Sequence, residues 1–139
     1  MKVLTDCKGN PLPVFGEGRV TYCSVENGAV PRGSVWLLKV LVNKIVGSKP
    51  DNDSSAVPEP VAGQFYLLRS AKSGVLLGRP ISIYMAKKAG NGVALDFLIL
   101  RKGTGTKELC ALEQNDKIEL IGPLGNSFPQ PKENDKICI

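Results

Sequence analysis

Apolar residues in this chain come in short runs with alternate spacing, each closed off by glycine, proline or asparagine, and that rhythm constrains the fold more than any other feature. Residues 19 to 25, Arg-Val-Thr-Tyr-Cys-Ser-Val, are rich in β-branched and aromatic types, and Asn27-Gly28 follows as a turn signal before a second run. In that run Trp36, Leu38, Val40 and Val42 occupy alternate positions while Lys39 and Asn43 fall in the other set. The two runs predict a hairpin whose second strand buries one face, with Trp36 in the core. A further strand is predicted from Gln64 to Arg69. Pro80 to Tyr84 and Val93 to Leu100 predict an antiparallel pair turned at Asn91-Gly92, and Lys117 to Ile121 predicts a last strand. The only convincing helical stretch is Lys-Glu-Leu-Cys-Ala-Leu-Glu at 107 to 113, entered through a threonine that can cap it. Five or six short strands and one short helix indicate an all-β barrel or sandwich, not a parallel α/β sheet.

The segment from Gly47 to Pro60 carries three prolines and almost nothing to bury, so it reads as a mobile surface loop. It does not read as a linker, because the residues before it hold too few elements to close a core. The expected organisation is one domain over residues 1 to 135. Residues 136 to 139 lie in a final Asp-Lys-Ile-Cys-Ile that looks like the first strand of a following domain, cut short.

Composition narrows the chemistry. The sequence has no histidine, which removes the commonest general base and the Ser-His and Cys-His nucleophile systems. The four cysteines, Cys7, Cys23, Cys110 and Cys138, are far apart with no Cys-x-x-Cys pair, so they read as buried free thiols and no metal site is predicted. Chemistry here is therefore expected to come from a cofactor. The formal charge is +5, of which +4 falls in residues 61 to 139, where 11 Lys and Arg stand against 7 Asp and Glu. That bias suits an anionic ligand but is too interleaved with acidic residues for nucleic acid. The alternative, a non-catalytic barrel that binds nucleic acid or a protein through its basic face, would need exposed stacking aromatics, and the chain has few. No apolar run approaches the roughly 20 residues that span a bilayer, and the N-terminus lacks the apolar region of a secretory signal. A cytoplasmic protein with no membrane contact is expected.

The most informative stretch is Gly78-Arg79-Pro80-Ile81-Ser82, followed by Gly103-Thr104-Gly105-Thr106 leading into the helix. Glycines at a helix start let backbone N–H groups approach an anion, and an arginine at a strand entrance can add a two-pronged contact to the same phosphates.

Gly63-Gln64-Phe65, Arg79-Pro80-Ile81-Ser82, Gly103-Thr104-Gly105-Thr106 with Leu109, and Gly122-Pro123-Leu124-Gly125-Asn126-Ser127-Phe128 occur in an order that resembles the FAD-binding domain of the ferredoxin reductase-like family. Within that family the likeness is nearest to the electron-transfer subunit of bacterial dihydroorotate dehydrogenase, an enzyme of pyrimidine biosynthesis. It covers residues 61 to 139 well and the earlier residues only as a hairpin pattern.

The resemblance implies an antiparallel six-stranded Greek-key barrel that holds FAD in an electron-transfer flavoprotein. Arg79 resembles the arginine on the FAD phosphates, and Ser82 the catalytic hydroxyl beside the reactive flavin nitrogen N5. Pro80 and Ile81 would present backbone and apolar surface to the isoalloxazine. Ile99, Leu100 and Arg101 resemble the strand whose backbone follows the ribityl and adenosine portions, and Gly103, Gly105 and Thr106 the pyrophosphate turn. Ile81 departs from the usual aromatic at its position. The resemblance further implies electrons passing from NAD(P)H through FAD to an iron-sulfur cluster and a catalytic flavoprotein subunit. The nicotinamide and cluster segments lie outside this sequence, so the fragment alone is expected to be inactive.

Overall fold

The computed structural model describes residues 7–9, 11–26, 34–46, 56–72 and 74–136. Six strands and one helix occur in the order β1 (Val14–Val25), β2 (Ser34–Ile45), β3 (Phe65–Ser70), β4 (Arg79–Ala89), β5 (Gly92–Arg101), α1 (Thr104–Cys110) and β6 (Lys117–Leu124). The strands close into a barrel in the spatial order β1-β2-β5-β4-β3-β6, every neighbour antiparallel. Strands β3, β4 and β5 follow one another by short connections while β2 lies beside β5, which is a Greek key. Closure leaves no strand edge unpaired.

The alternation read in the sequence sets the inside of the barrel. Leu38, Val40 and Val42 from β2 meet Val93, Leu95, Phe97 and Ile99 from β5, all at most 2% exposed. Trp36, on the same face at the end of the row, is half-buried against that core. Tyr66 and Leu68 on β3 and Ile118 and Leu120 on β6 complete the interior, with the Tyr66 and Phe97 rings edge to face at 5.8 Å. Helix α1 covers one end of the barrel through the fully buried Leu109, and Leu112 follows it inward.

Four expectations change in detail. The helix lies over Thr104–Cys110, three residues earlier than its apolar periodicity suggests. Gly103 has no side chain to cap with, so Thr106 does so from the third helical position: its Oγ1 accepts from the N–H groups of Lys102 at 2.9 Å and Gly103 at 3.1 Å. The β4–β5 turn is Gly90-Asn91, with Gly90 at φ +60°, because Ala89 pairs with Gly92. Gly92 is the first residue of β5, where a side chain would strike the Val42 carbonyl oxygen. Strand β4 continues five residues past Tyr84, its pairing with β5 running on to Ala89, because Lys87 and Lys88 are both exposed and nothing there has to be buried. In the β2–β3 connection Val57 and Pro58 are buried beside the β4–β5 turn, so that segment contributes to the core. The Asn27-Gly28 turn, residues 47–55 of the predicted loop, Cys138 and the strand start at 137–139 lie outside the described residues.

Candidate functional site

Strand β4 begins at Arg79 and the antiparallel β5 ends at Arg101, so both arginines stand at the end of the barrel where α1 starts. Arg79 is exposed at its strand entrance, yet its side chain lies directly over Gly105. A methyl group at position 105 would collide with its Nε and reach its Cγ and Cδ at 3.0 Å. The glycine in the first helical turn and the arginine that begins β4, 26 positions apart in sequence, are thus one constellation. Gly105 is buried beneath Arg79, whereas Gly103 has open space where a side chain would be.

Among the described residues several lysines, Lys87, Lys88 and Lys107 among them, carry no ion pair, but Arg79 differs in its partners from the other arginines. Arg69 is held by Glu119, its Nε donating at 2.7 Å. Lys39 pairs with Asp96, Lys44 with Glu17 and Lys72 with Asp116. Arg19 donates to the Asn115 carbonyl at 3.0 Å, and the Arg101 guanidinium stacks 5.9 Å from the centroid of the Trp36 ring. Arg79 has no ion-pair partner among the described residues. Beside it, the N–H groups of Thr104, Gly105 and Thr106 have no intrahelical acceptor, as at the start of any α-helix. The Thr106 hydroxyl is taken up by the cap, donating at 3.0 Å to the Gly103 carbonyl, so this residue offers a ligand its N–H. An uncompensated guanidinium across a turn of open amides suits an anion with several oxygens.

The other sequence-predicted residues occupy two surfaces. Ile81 is half-buried against the core, whereas Ser82 is exposed on the outer face of β4, directly across the ladder from Phe65. Pro80 is exposed at the strand's second position, where it faces Leu67. Ile99 is 1% exposed in the core, so only its backbone is open to a ligand, and Leu100 points outward at 42% exposure.

In the sequence Gln64 and Phe65 mark only a motif and the start of a predicted strand. The structure gives them specific places: Gln64 is buried and bonds to Val61 and Gly125, while Phe65 faces Ser82. A glutamine immediately before an alternating strand is the one signal that marked it.

The thiols near α1 are poor nucleophiles. Burial pushes Cys110 up to about 12, with the neighbouring Cys23 adding to the shift, and burial likewise raises Cys23. Cys7 is exposed, contrary to the expectation of a buried thiol; it sits outside the barrel strands. Among the described residues no helix is long and apolar enough to cross a membrane.

No family model matches the chain. Among curated proteins it is similar to electron transfer subunits of dihydroorotate dehydrogenase B (NAD(+)). It is 42% identical to that of Clostridium acetobutylicum over 77 residues, covering 55% of this chain and 30% of that protein. It is 37% identical over 78 residues to that of Clostridium perfringens, covering 56% and 29%. The Desulforamulus reducens protein is 35% identical over 91 residues, covering 65% and 32%. The matched part spans under a third of the length of these relatives.

Proposed function

We propose that this chain is the FAD-binding module of an electron-transfer oxidoreductase of the dihydroorotate dehydrogenase kind. The observation that carries this reading is the Arg79–Gly105 constellation: an arginine without an ion-pair partner among the described residues, laid over a helix start whose glycine leaves room for it. Its donors match a pyrophosphate, which offers more oxygens than one guanidinium can satisfy. The similarity to electron transfer subunits supports the redox role, since those proteins are named for it.

When bound, FAD supplies the exchange between two-electron and one-electron transfer that side chains cannot perform. The residues of this chain bind and orient it. Arg79 and the N–H groups of Thr104, Gly105 and Thr106 would hold the phosphates. The β5 end at Leu100 and Arg101, with the backbone of Ile99, would follow the ribityl and adenosine portions. Pro80 and the backbone of Ile81 would lie along the ring system. The Ser82 hydroxyl, which can donate or accept, would face the ring nitrogen whose protonation changes during turnover. In the whole protein, electrons would come from a nicotinamide and leave through an iron-sulfur centre towards a catalytic flavoprotein subunit. Titration of the flavin-free chain with FAD, followed by flavin absorbance, tests the reading. Saturable uptake that is weakened in Arg79→Ala is expected; uptake indifferent to Arg79 would remove the constellation from the site.

A further inference from the structure

Gln64 is 1% exposed and is the most buried polar side chain among the described residues. A buried amide is costly unless its donor and acceptor are both used, and here both are used outside the strand ladder. Its Oε1 accepts from the Val61 N–H at 2.9 Å, and its Nε2 donates to the Gly125 carbonyl at 3.0 Å. Its own carbonyl accepts from the Ile83 N–H at 3.2 Å. One residue therefore ties the entry of β3, the exit of β6 and the β4 residue next to Ser82.

These ties reach the outer surface through a glycine. Gly125 has φ +83°, and a side chain there would come 3.1 Å from Cε1 of Phe65, so the Phe65 ring rests on the Gly125 backbone. Phe65 lies opposite Leu124 on one side and opposite Ser82 on the other. Because side chains alternate along a strand, with Tyr66 inside the barrel and Ile81 and Ile83 packed on the core, Phe65 and Ser82 share the outer face. Gln64 fixes Gly125, Gly125 seats Phe65, and Phe65 borders Ser82.

We propose that Gln64 is a positioning residue for the flavin ring, and that Phe65, which it holds in place through Gly125, supplies an aromatic surface beside Ser82 on the outer face of the barrel. The proposal rests on the FAD reading above. Gln64 is buried, with its amide committed to Val61 and Gly125, so it would act on the ring through Phe65 and not by contact.

The test loads the full chain with FAD and records the visible circular dichroism of the bound flavin per unit absorbance, alongside thermal stability. Visible circular dichroism reports the asymmetric surroundings of the ring and is not moved by a loss of stability alone. Gln64→Leu and Gly125→Ala are each expected to shift the flavin band. Val40→Ala, a core truncation on β2 remote in the ladder from β3, is expected to lower stability and leave the band in place. Should Gln64→Leu not fold, Gly125→Ala carries the test, since it disturbs Phe65 directly. An unchanged band in the folded variants, or an equal shift in Val40→Ala, would overturn the proposal. Failure of the unsubstituted chain to take up FAD would instead overturn the FAD reading on which it rests, before any variant is compared.

Discussion

The side chain of Arg79 lies over Gly105, close enough that a methyl group there would meet Arg79 Cγ and Cδ at 3.0 Å. Position 105 thus controls where the guanidinium points. Gly105→Ala should fold, because alanine favours a helix over glycine by about 0.8–1 kcal/mol and the arginine can move aside. It should nevertheless bind FAD more weakly, because the arginine will have left its place. Parallel thermal melts and flavin titrations check the split; equal FAD affinity would mean that Arg79 acts from another position.

Arg79→Ala removes the charge altogether. A charge-assisted hydrogen bond contributes about 1.5–3 kcal/mol, so FAD affinity should fall roughly ten- to a hundredfold. Arg69→Ala serves as the control, since Arg69 is already committed to Glu119. Similar flavin loss in both variants would make Arg79 an ordinary surface cation.

For Ser82, binding and redox behaviour should separate. Ser82→Ala removes one hydroxyl from an exposed position across from Phe65 and leaves the Arg79 constellation intact. FAD affinity should change little while the midpoint potential of the bound flavin shifts, measured by dye-coupled reduction. An unchanged potential would take Ser82 off the ring.

Much of this was legible in the sequence, for physical reasons that can be located. The alternation at Trp36, Leu38, Val40 and Val42 survives in the barrel because a strand with one buried face must alternate. The helix start was misplaced because Gly103 and Gly105 disfavour helix interiors; no propensity argument anticipates that Arg79 covers one and Thr106 caps in place of the other. The turn shifted by one residue because Gly92 is required by its approach to Val42, a contact between strands that local turn chemistry does not register. The pattern marks Arg79 and the family resemblance marks Ser82, but the join between Arg79 and Gly105, and the role of Gln64 behind Phe65, exist only once the barrel has closed.

The Thr106 cap can be tested independently of flavin. Thr106→Val deletes the acceptor for the Lys102 and Gly103 N–H groups and should cost about 1 kcal/mol, read as a lower midpoint in urea. An unchanged midpoint would show that water replaces the hydroxyl without loss.

Acid should act in part through Asp116. Its hydrogen bond to Lys72, joined by the Glu113 N–H, holds its carboxyl below the ordinary carboxylate range. A depressed folded value means stabilisation that is present above the unfolded pKa of about 3.9 and is lost as pH falls through the lower folded value. Asp116→Asn should therefore narrow the stability difference between pH 6 and pH 3, about the span over which carboxylates titrate. Melts that keep the full difference would assign the acid sensitivity elsewhere.

The most direct measurement is a paired titration of the flavin-free chain with FAD and with FMN. Arg79 and the amides of Thr104 to Thr106 suit a pyrophosphate, and FMN carries only a terminal phosphate. Saturable binding of FAD with distinctly weaker binding of FMN is the predicted result. Equal affinity for the two flavins, or binding of neither, would contradict the claim that this end of the barrel is built for FAD.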